Sequence, residues 1–164
     1  TEADWEVLQD ERCSVAFCPS SNLFLGSGLF DLPRLQFADV KVGIGTDIGA
    51  GTSLSMLQTI ADAYKTQRLA GNDLSPLSGL YMATLGGAKS LDCDADIGNF
   101  KIGKEADFTV LDPESTPLMS YRMQNCKSLE ERLAVIVLLG DDRAISATYA
   151  NGHCVHDRDI DEES

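Results

Sequence analysis

Apolar and polar positions fall into two periods along this chain, and the switch between them marks its elements. Trp5, Leu8 and Gln9 share one face while Asp4, Glu6, Asp10 and Glu11 lie outside it, which predicts helix over residues 3–12. Ser14–Cys18 is a compact apolar strand stopped by Pro19, which donates no backbone hydrogen bond and keeps Cys18 out of helical geometry. Ser20, Ser21 and Asn22 then read as turn formers, and Leu23–Gly28 as a flexible loop. Leu29–Leu35 and Phe37 lead to Val40–Thr46, a second apolar run too short for a helix, which ends on Asp47. The connection between the two runs is long enough for the crossover that parallel strands require, so the pattern is βαβ.

A glycine-rich turn, Ile48-Gly49-Ala50-Gly51, precedes a helix expected over Ser53–Leu69. Leu54, Leu57, Ile60, Ala61 and Tyr64 fall on one face of it, Thr52 or Ser53 can cap it, and Gly71 stops it. Ser75-Pro76 opens a second helix through Leu77, Leu80, Tyr81 and Leu85 to Gly86-Gly87, followed by a short turn over Ala88–Leu91. After Cys93 the character changes. Ile97–Lys104 is turn-rich, and Ala106–Leu111 is a β run ended by Asp112-Pro113. Ser128-Leu129-Glu130-Glu131 is a capping box opening a helix to Leu139, and Asn151-Gly152 joins Ile145–Ala150 to His153–His156 as a primed-turn hairpin. The expected architecture is an α/β barrel-like part over residues 1–92. A small β layer with an inserted helix and an acidic tail follows over residues 93–164, the boundary lying near 92–96.

Charge narrows the partners. The 164 residues carry 13 basic and 26 acidic side chains, a net charge of −13, which argues against nucleic acid and against an anionic membrane surface. No run of about 18 apolar residues exists to span a bilayer. Asp157, Asp159, Asp161, Glu162 and Glu163 read as a solvated end. Five cysteines, an odd number without C-x-x-C spacing, suit reduced thiols in a cytoplasmic protein. The chain opens at Thr1 within an expected helix, which reads as a piece of something longer.

Asp47 is the leading chemical candidate. In α/β barrels catalytic residues gather at the C-terminal ends of strands, where a carboxylate can ligate a metal or take a proton from its water. Aspartate there is also an ordinary turn former, and spacing leaves both readings open. His153 and His156, the only histidines, are three apart on an expected strand and point to opposite faces. Neither lies near Asp47 in sequence, whereas a hydrolytic zinc site normally needs several imidazoles. Cys18 suits a packing thiol. The glycines around Asp47 give neither a dinucleotide fingerprint, since Ile48 stands where Gly is needed, nor a P-loop.

Two stretches, Cys18-Pro19-Ser20-Ser21-Asn22-Leu23 and Gly45-Thr46-Asp47 with its Gly-Ala-Gly-Thr-Ser continuation, resemble the last two barrel strands of the amidohydrolase superfamily. Ala83–Ala88 and Gly103-Lys104-Glu105-Ala106-Asp107-Phe108 resemble its closing helix and small β-sandwich. Ser21-Asn22-Leu23 before Ser27-Gly28, and Leu139–Arg143, resemble the guanine-deaminating family within it. The resemblance implies the C-terminal part of a (β/α)8 barrel, two strands of it, in a homodimeric, zinc-dependent enzyme converting guanine to xanthine and ammonia. It implies Asp47 as metal ligand and proton carrier, and Ser20 and Asn22 as substrate-pocket candidates. The family's His-x-His, its further histidines and its catalytic glutamate are absent from these 164 residues, so the chain alone is expected neither to hold zinc tightly nor to turn over guanine. Two other readings stay open: an aminohydrolase of another purine, a pyrimidine or a triazine, or a non-catalytic self-associating module.

Overall fold

The computed structural model describes residues 2–8 and 13–161. Gln9–Arg12 of the expected first helix, and Glu162 and Glu163 of the acidic end, lie outside them. The chain opens with α1 (Glu2–Leu8). β1 (Ser14–Phe17) and β2 (Lys41–Ile44) then pair in parallel, with Phe17 opposite Ile44. The crossover between them holds two helices, α2 (Pro19–Leu25) and α3 (Leu32–Phe37). α2 corrects the expected turn and loop. Pro19 sits in its first turn, where a missing N–H costs nothing, Ser20 and Ser21 are buried, and Gly26 closes it in the left-handed conformation. The guanidinium of Arg34 in α3 stacks over the Trp5 ring at 3.8 Å and ties α1 to this layer.

α4 (Met56–Leu69) starts later than its apolar spacing predicts. Ser55 is the cap, its hydroxyl accepting from the Gln58 N–H at 3.3 Å, while Ser53 accepts from the Ser55 N–H at 3.0 Å. Leu54 therefore precedes the helix and is 75% exposed. Leu57, Ile60 and Ala61 are buried as expected, joined by Thr59, Ala63, Thr66 and Gln67. α5 (Pro76–Ala83) has the expected Ser75 cap. It breaks at Thr84 (φ −125°, ψ −103°), and Gly86 and Gly87 lie inside a separate α6 (Leu85–Ser90) rather than ending a helix. The glycines serve packing: a Cβ at Gly43 of β2 would stand 3.2 Å from the Gly87 Cα, so helix and strand meet backbone to backbone.

The later part is one three-stranded antiparallel sheet of β3 (Phe108–Leu111), β4 (Ile145–Ala150) and β5 (His153–Asp157), in that order, closed by α9 (Arg158–Asp161). Asn151 and Gly152 both have positive φ (48° and 74°), which fits the primed turn. A register shift between Thr148 and Tyr149 pairs Thr148 with His156 and Tyr149 with Cys154. Between β3 and β4 stand α7 (Pro117–Met123), which the apolar pattern did not announce, and α8 (Leu129–Leu139). In the capping box Ser128 accepts from the Glu131 N–H at 3.2 Å, while the Glu131 carboxylate accepts from Lys127 instead of Ser128.

Two apolar clusters hold these pieces together. Phe17, Ile44, Ile60, Ala63 and Met82 form the first, and Val137 of α8 enters it. Leu57 of α4 joins Met119, Met123, Val135, Ile136 and Ala144 in the second. The α8 helix thus packs on α4 as well as on α7. The Gly103–Phe108 stretch acts as a lock. Lys104 Nζ donates to the carbonyls of Asp94 and, at 2.9 Å, of Ile97. Asp107 accepts from the Asn151 N–H at 2.6 Å, and Phe108 stacks on Tyr149 with ring centroids 4.5 Å apart.

Candidate functional site

Parallel pairing brings the C-terminal ends of β1 and β2 side by side, so Cys18 and Asp47 become neighbours although 29 positions separate them. The Gly45 N–H donates to the Phe17 carbonyl at 3.0 Å, which carries the ladder one step past each strand. Two residues on, Asp47 turns the chain with φ +47°, a conformation aspartate tolerates better than most side chains. Its carbonyl accepts from the N–H groups of Ala50 (3.2 Å) and Gly51 (2.5 Å), closing the turn. A Cβ at Gly51 would come within 1.9 Å of the Thr46 carbonyl oxygen, so only glycine passes there. The turn leaves Asp47 exposed at the strand end.

Cys18 lies over Gly45, where an added Cβ would meet its Sγ at 3.4 Å. Burial, and then the negative charge of Asp47, push its thiol above the ordinary range. It stays protonated, as a packing thiol should. Ser20 is 7% exposed, and its hydroxyl donates to Asp62 Oδ2 on α4 at 2.7 Å. The carboxylate also takes Lys65 Nζ at 3.2 Å. Ser20 therefore fastens α2 to α4 through a partner 42 positions away, which local pattern could not reveal. Asn22 is half-buried, and its carbonyl accepts from the Ser27 N–H at 2.9 Å. His153, Cys154 and His156 lie on β5, in the other sheet from Asp47.

Among the described residues no three His, Cys, Asp or Glu side chains converge as a metal site. Asp47 is one exposed carboxylate, so a metal here would need its other ligands from elsewhere. Among these same residues no helix is long and apolar enough to cross a membrane.

Residues 1–155 match the amidohydrolase family. The chain belongs to that family. Among curated amidohydrolase relatives, the guanine deaminase of Escherichia coli K12 is 54% identical over 157 residues, covering 96% of this chain and 36% of that protein. The probable guanine deaminase of Deinococcus radiodurans is 39% identical over 163 residues, 98% of this chain and 37% of that protein. The chain thus spans little more than a third of the length of either relative. The solved structure of the E. coli guanine deaminase superposes with a TM-score of 0.94 at 53% identity, over 96% of this chain and 37% of that one. An adenosine deaminase from Xanthomonas campestris with bound zinc superposes with a TM-score of 0.79 at 28% identity, over 96% and 35%. The α/β layer and three-stranded sheet described above are accordingly a part of the amidohydrolase fold.

Proposed function

We propose that this chain is the C-terminal part of a zinc-dependent guanine deaminase, with residues 1–92 completing the barrel and residues 93–164 contributing to the small β domain. The observation that carries the reading is the 54% identity to the E. coli enzyme over nearly the whole chain. The zinc-bound deaminase among the structural relatives supports the choice of metal. The reaction adds water across a C–N bond: guanine and water give xanthine and ammonia.

In this reading Asp47 is the chain's contribution to the chemistry, as metal ligand and as the base that carries a proton. Zinc, when bound, supplies a Lewis acid that makes hydroxide available near neutral pH. The Asp47 carboxylate accepts the proton released from the attacking water and returns it to the departing amine, which leaves as ammonia. The turn closed by Ala50 and Gly51 holds that carboxylate at a fixed strand end, and Gly51 is what lets the turn close. Ser20 acts by keeping α2 on α4, and Asn22 on the same helix is the candidate for contact with the base. The intact enzyme is a cytoplasmic homodimer in this reading.

Assay of the full-length protein on guanine, adenine and cytosine tests the substrate. Release of ammonia from guanine, with little or none from the other two, supports the proposal. Preference for either of the others moves the enzyme elsewhere in the family.

A further inference from the structure

A ring of contacts joins the two strand ends through the helices behind them. β1 runs through Cys18 into α2, and β2 runs through Asp47 and its turn into α4. In front, the Gly45 N–H donates to the Phe17 carbonyl at 3.0 Å and the Cys18 thiol lies over Gly45. Behind, the Ser20 hydroxyl donates to Asp62 Oδ2 at 2.7 Å and closes the ring. The α2 helix needs such a hold. It has seven residues, too few to be stable alone, and Cys18 at its start makes no side-chain cap bond. Its first turn rests on Pro19 and on the Asn22 N–H donating to the Cys18 carbonyl at 3.0 Å. Asp62 divides its two oxygens between this hold and Lys65 Nζ, which meets Oδ1 at 3.2 Å. The Lys65 side chain is 65% exposed, so that pair is screened by water. The bond from buried Ser20 is charge-assisted and sheltered.

We infer that Asp62 is a positioning residue for the substrate base: through Ser20 it holds the first turn of α2, and with it Asn22, in place beside Asp47. Asp62 touches neither the base nor the reacting atoms. Its effect on them runs through one hydrogen bond and one short helix. The two strand ends differ in how they would respond to its loss. Asp47 is fixed by its own turn, which the Ala50 and Gly51 N–H groups close, so it stays where it is. Asn22 is carried by α2 and moves when α2 loosens. Removal of Asp62 therefore weakens binding of the base and spares the chemical step, which is the signature of lost uniform binding. The inference rests on the proposed reading of Asp47 and Asn22 as residues of a guanine site.

The test uses the full-length protein with zinc bound. Steady-state kinetics on guanine are measured beside hydrogen–deuterium exchange over residues 19–25, bound zinc and the urea midpoint. Asp62→Ala should raise KM about 10-fold or more, hold kcat within about 3-fold, leave zinc bound, and quicken exchange over residues 19–25 by about 10-fold. Asp62→Asn, whose amide oxygen still accepts from Ser20, should bring KM back to within about 3-fold of the parent. Ser20→Ala should raise KM as Asp62→Ala does, and the double variant should be no worse than either, because both remove the same bond. Lys65→Ala should leave KM unchanged. A KM within about 3-fold of the parent in Asp62→Ala overturns the inference. So does an Asp62→Asn as impaired as Asp62→Ala, or a fall in kcat and bound zinc that tracks a lowered urea midpoint. Where Asp62→Ala does not fold, Ser20→Ala carries the same prediction and the same refutation. A parent that leaves guanine untouched refutes the proposed substrate instead. Exchange over residues 19–25 then decides the hold of Asp62 on α2, and unchanged exchange in Asp62→Ala overturns it.

Discussion

The two sheets of this molecule are held in opposite ways. β3, β4 and β5 are secured from within their own sheet: a tight hairpin, a ring stack between adjacent strands, and Arg158, just past β5, reaching Asp112 at the end of β3 at 3.2 Å and the Arg143 carbonyl ahead of β4 at 2.9 Å. β1 and its connection to β2 are held by helices outside their sheet. Phe17 depends on Ile60 and Val137, Ser20 on Asp62, and Phe30 on Gln67. The difference teaches where function can sit. The antiparallel sheet ties its own strands together, whereas the parallel pair is positioned by α4 and α8 and presents Asp47 at its end.

That contrast should appear as unequal sensitivity to mutation. Phe17→Ala removes a nearly fully buried ring stacked on Phe30 at 4.4 Å, and should cost about 3–5 kcal/mol in urea unfolding. A loss under about 1 kcal/mol would mean that β1 is not part of the cooperative core. Gln67→Ala comes next. Gln67 is fully buried, donates to the Phe30 carbonyl at 2.8 Å and accepts from Asn72 at 3.1 Å. Leaving those groups unpaired should cost about 1–3 kcal/mol and loosen the segment ahead of α3. Amide exchange at residues 29–32 should quicken, with the hairpin unaffected.

In the other sheet, Asn151→Ala places alanine at φ 48° in a two-residue turn and should cost about 1–2 kcal/mol. Asn151→Gly should be close to neutral, and equal effects from the two would remove the turn argument. The smallest effect concerns pH. A hydrogen bond from Arg143 is the main cause that holds the Asp141 carboxyl below its ordinary range. The folded value is the depressed one, so its stabilisation is fully present above the unfolded carboxylate value of about 3.9 and fades as pH falls through the folded value. The gap in urea midpoint between the wild type and Arg143→Gln should be constant from pH 7 to 5 and shrink below about pH 4.

What could be read from the chain follows the same division. The hairpin, β3 and the Ser75 and Ser128 caps were legible because each is decided within a few residues. So was the parallel pair, since two apolar runs at crossover spacing have few alternatives. α2 was missed because Ser20, Ser21 and Asn22 favour turns, whereas the bond that fixes Ser20 on α4 comes from Asp62, 42 positions away. The start of α4 was expected at Thr52 or Ser53 rather than at Ser55, because Leu54 fitted an apolar stripe it does not join. α7 was hidden behind a polar Pro-Glu-Ser-Thr approach. The position of Asp47 just past the end of β2 was legible from the apolar run before it. The commitment of Ser20 to Asp62 was not, because nothing local couples positions 42 apart.

The central claim is that Asp47 supplies the reaction's carboxylate within a complete guanine-deaminating barrel, and one measurement reaches it most directly. Ammonia release from guanine is compared between the full-length protein and its Asp47→Asn variant, with bound zinc and the unfolding midpoint recorded for both. A loss of about 100- to 10,000-fold in turnover, with the fold intact and zinc weakened, is the predicted result. Turnover in the variant within a few-fold of the parent would contradict it.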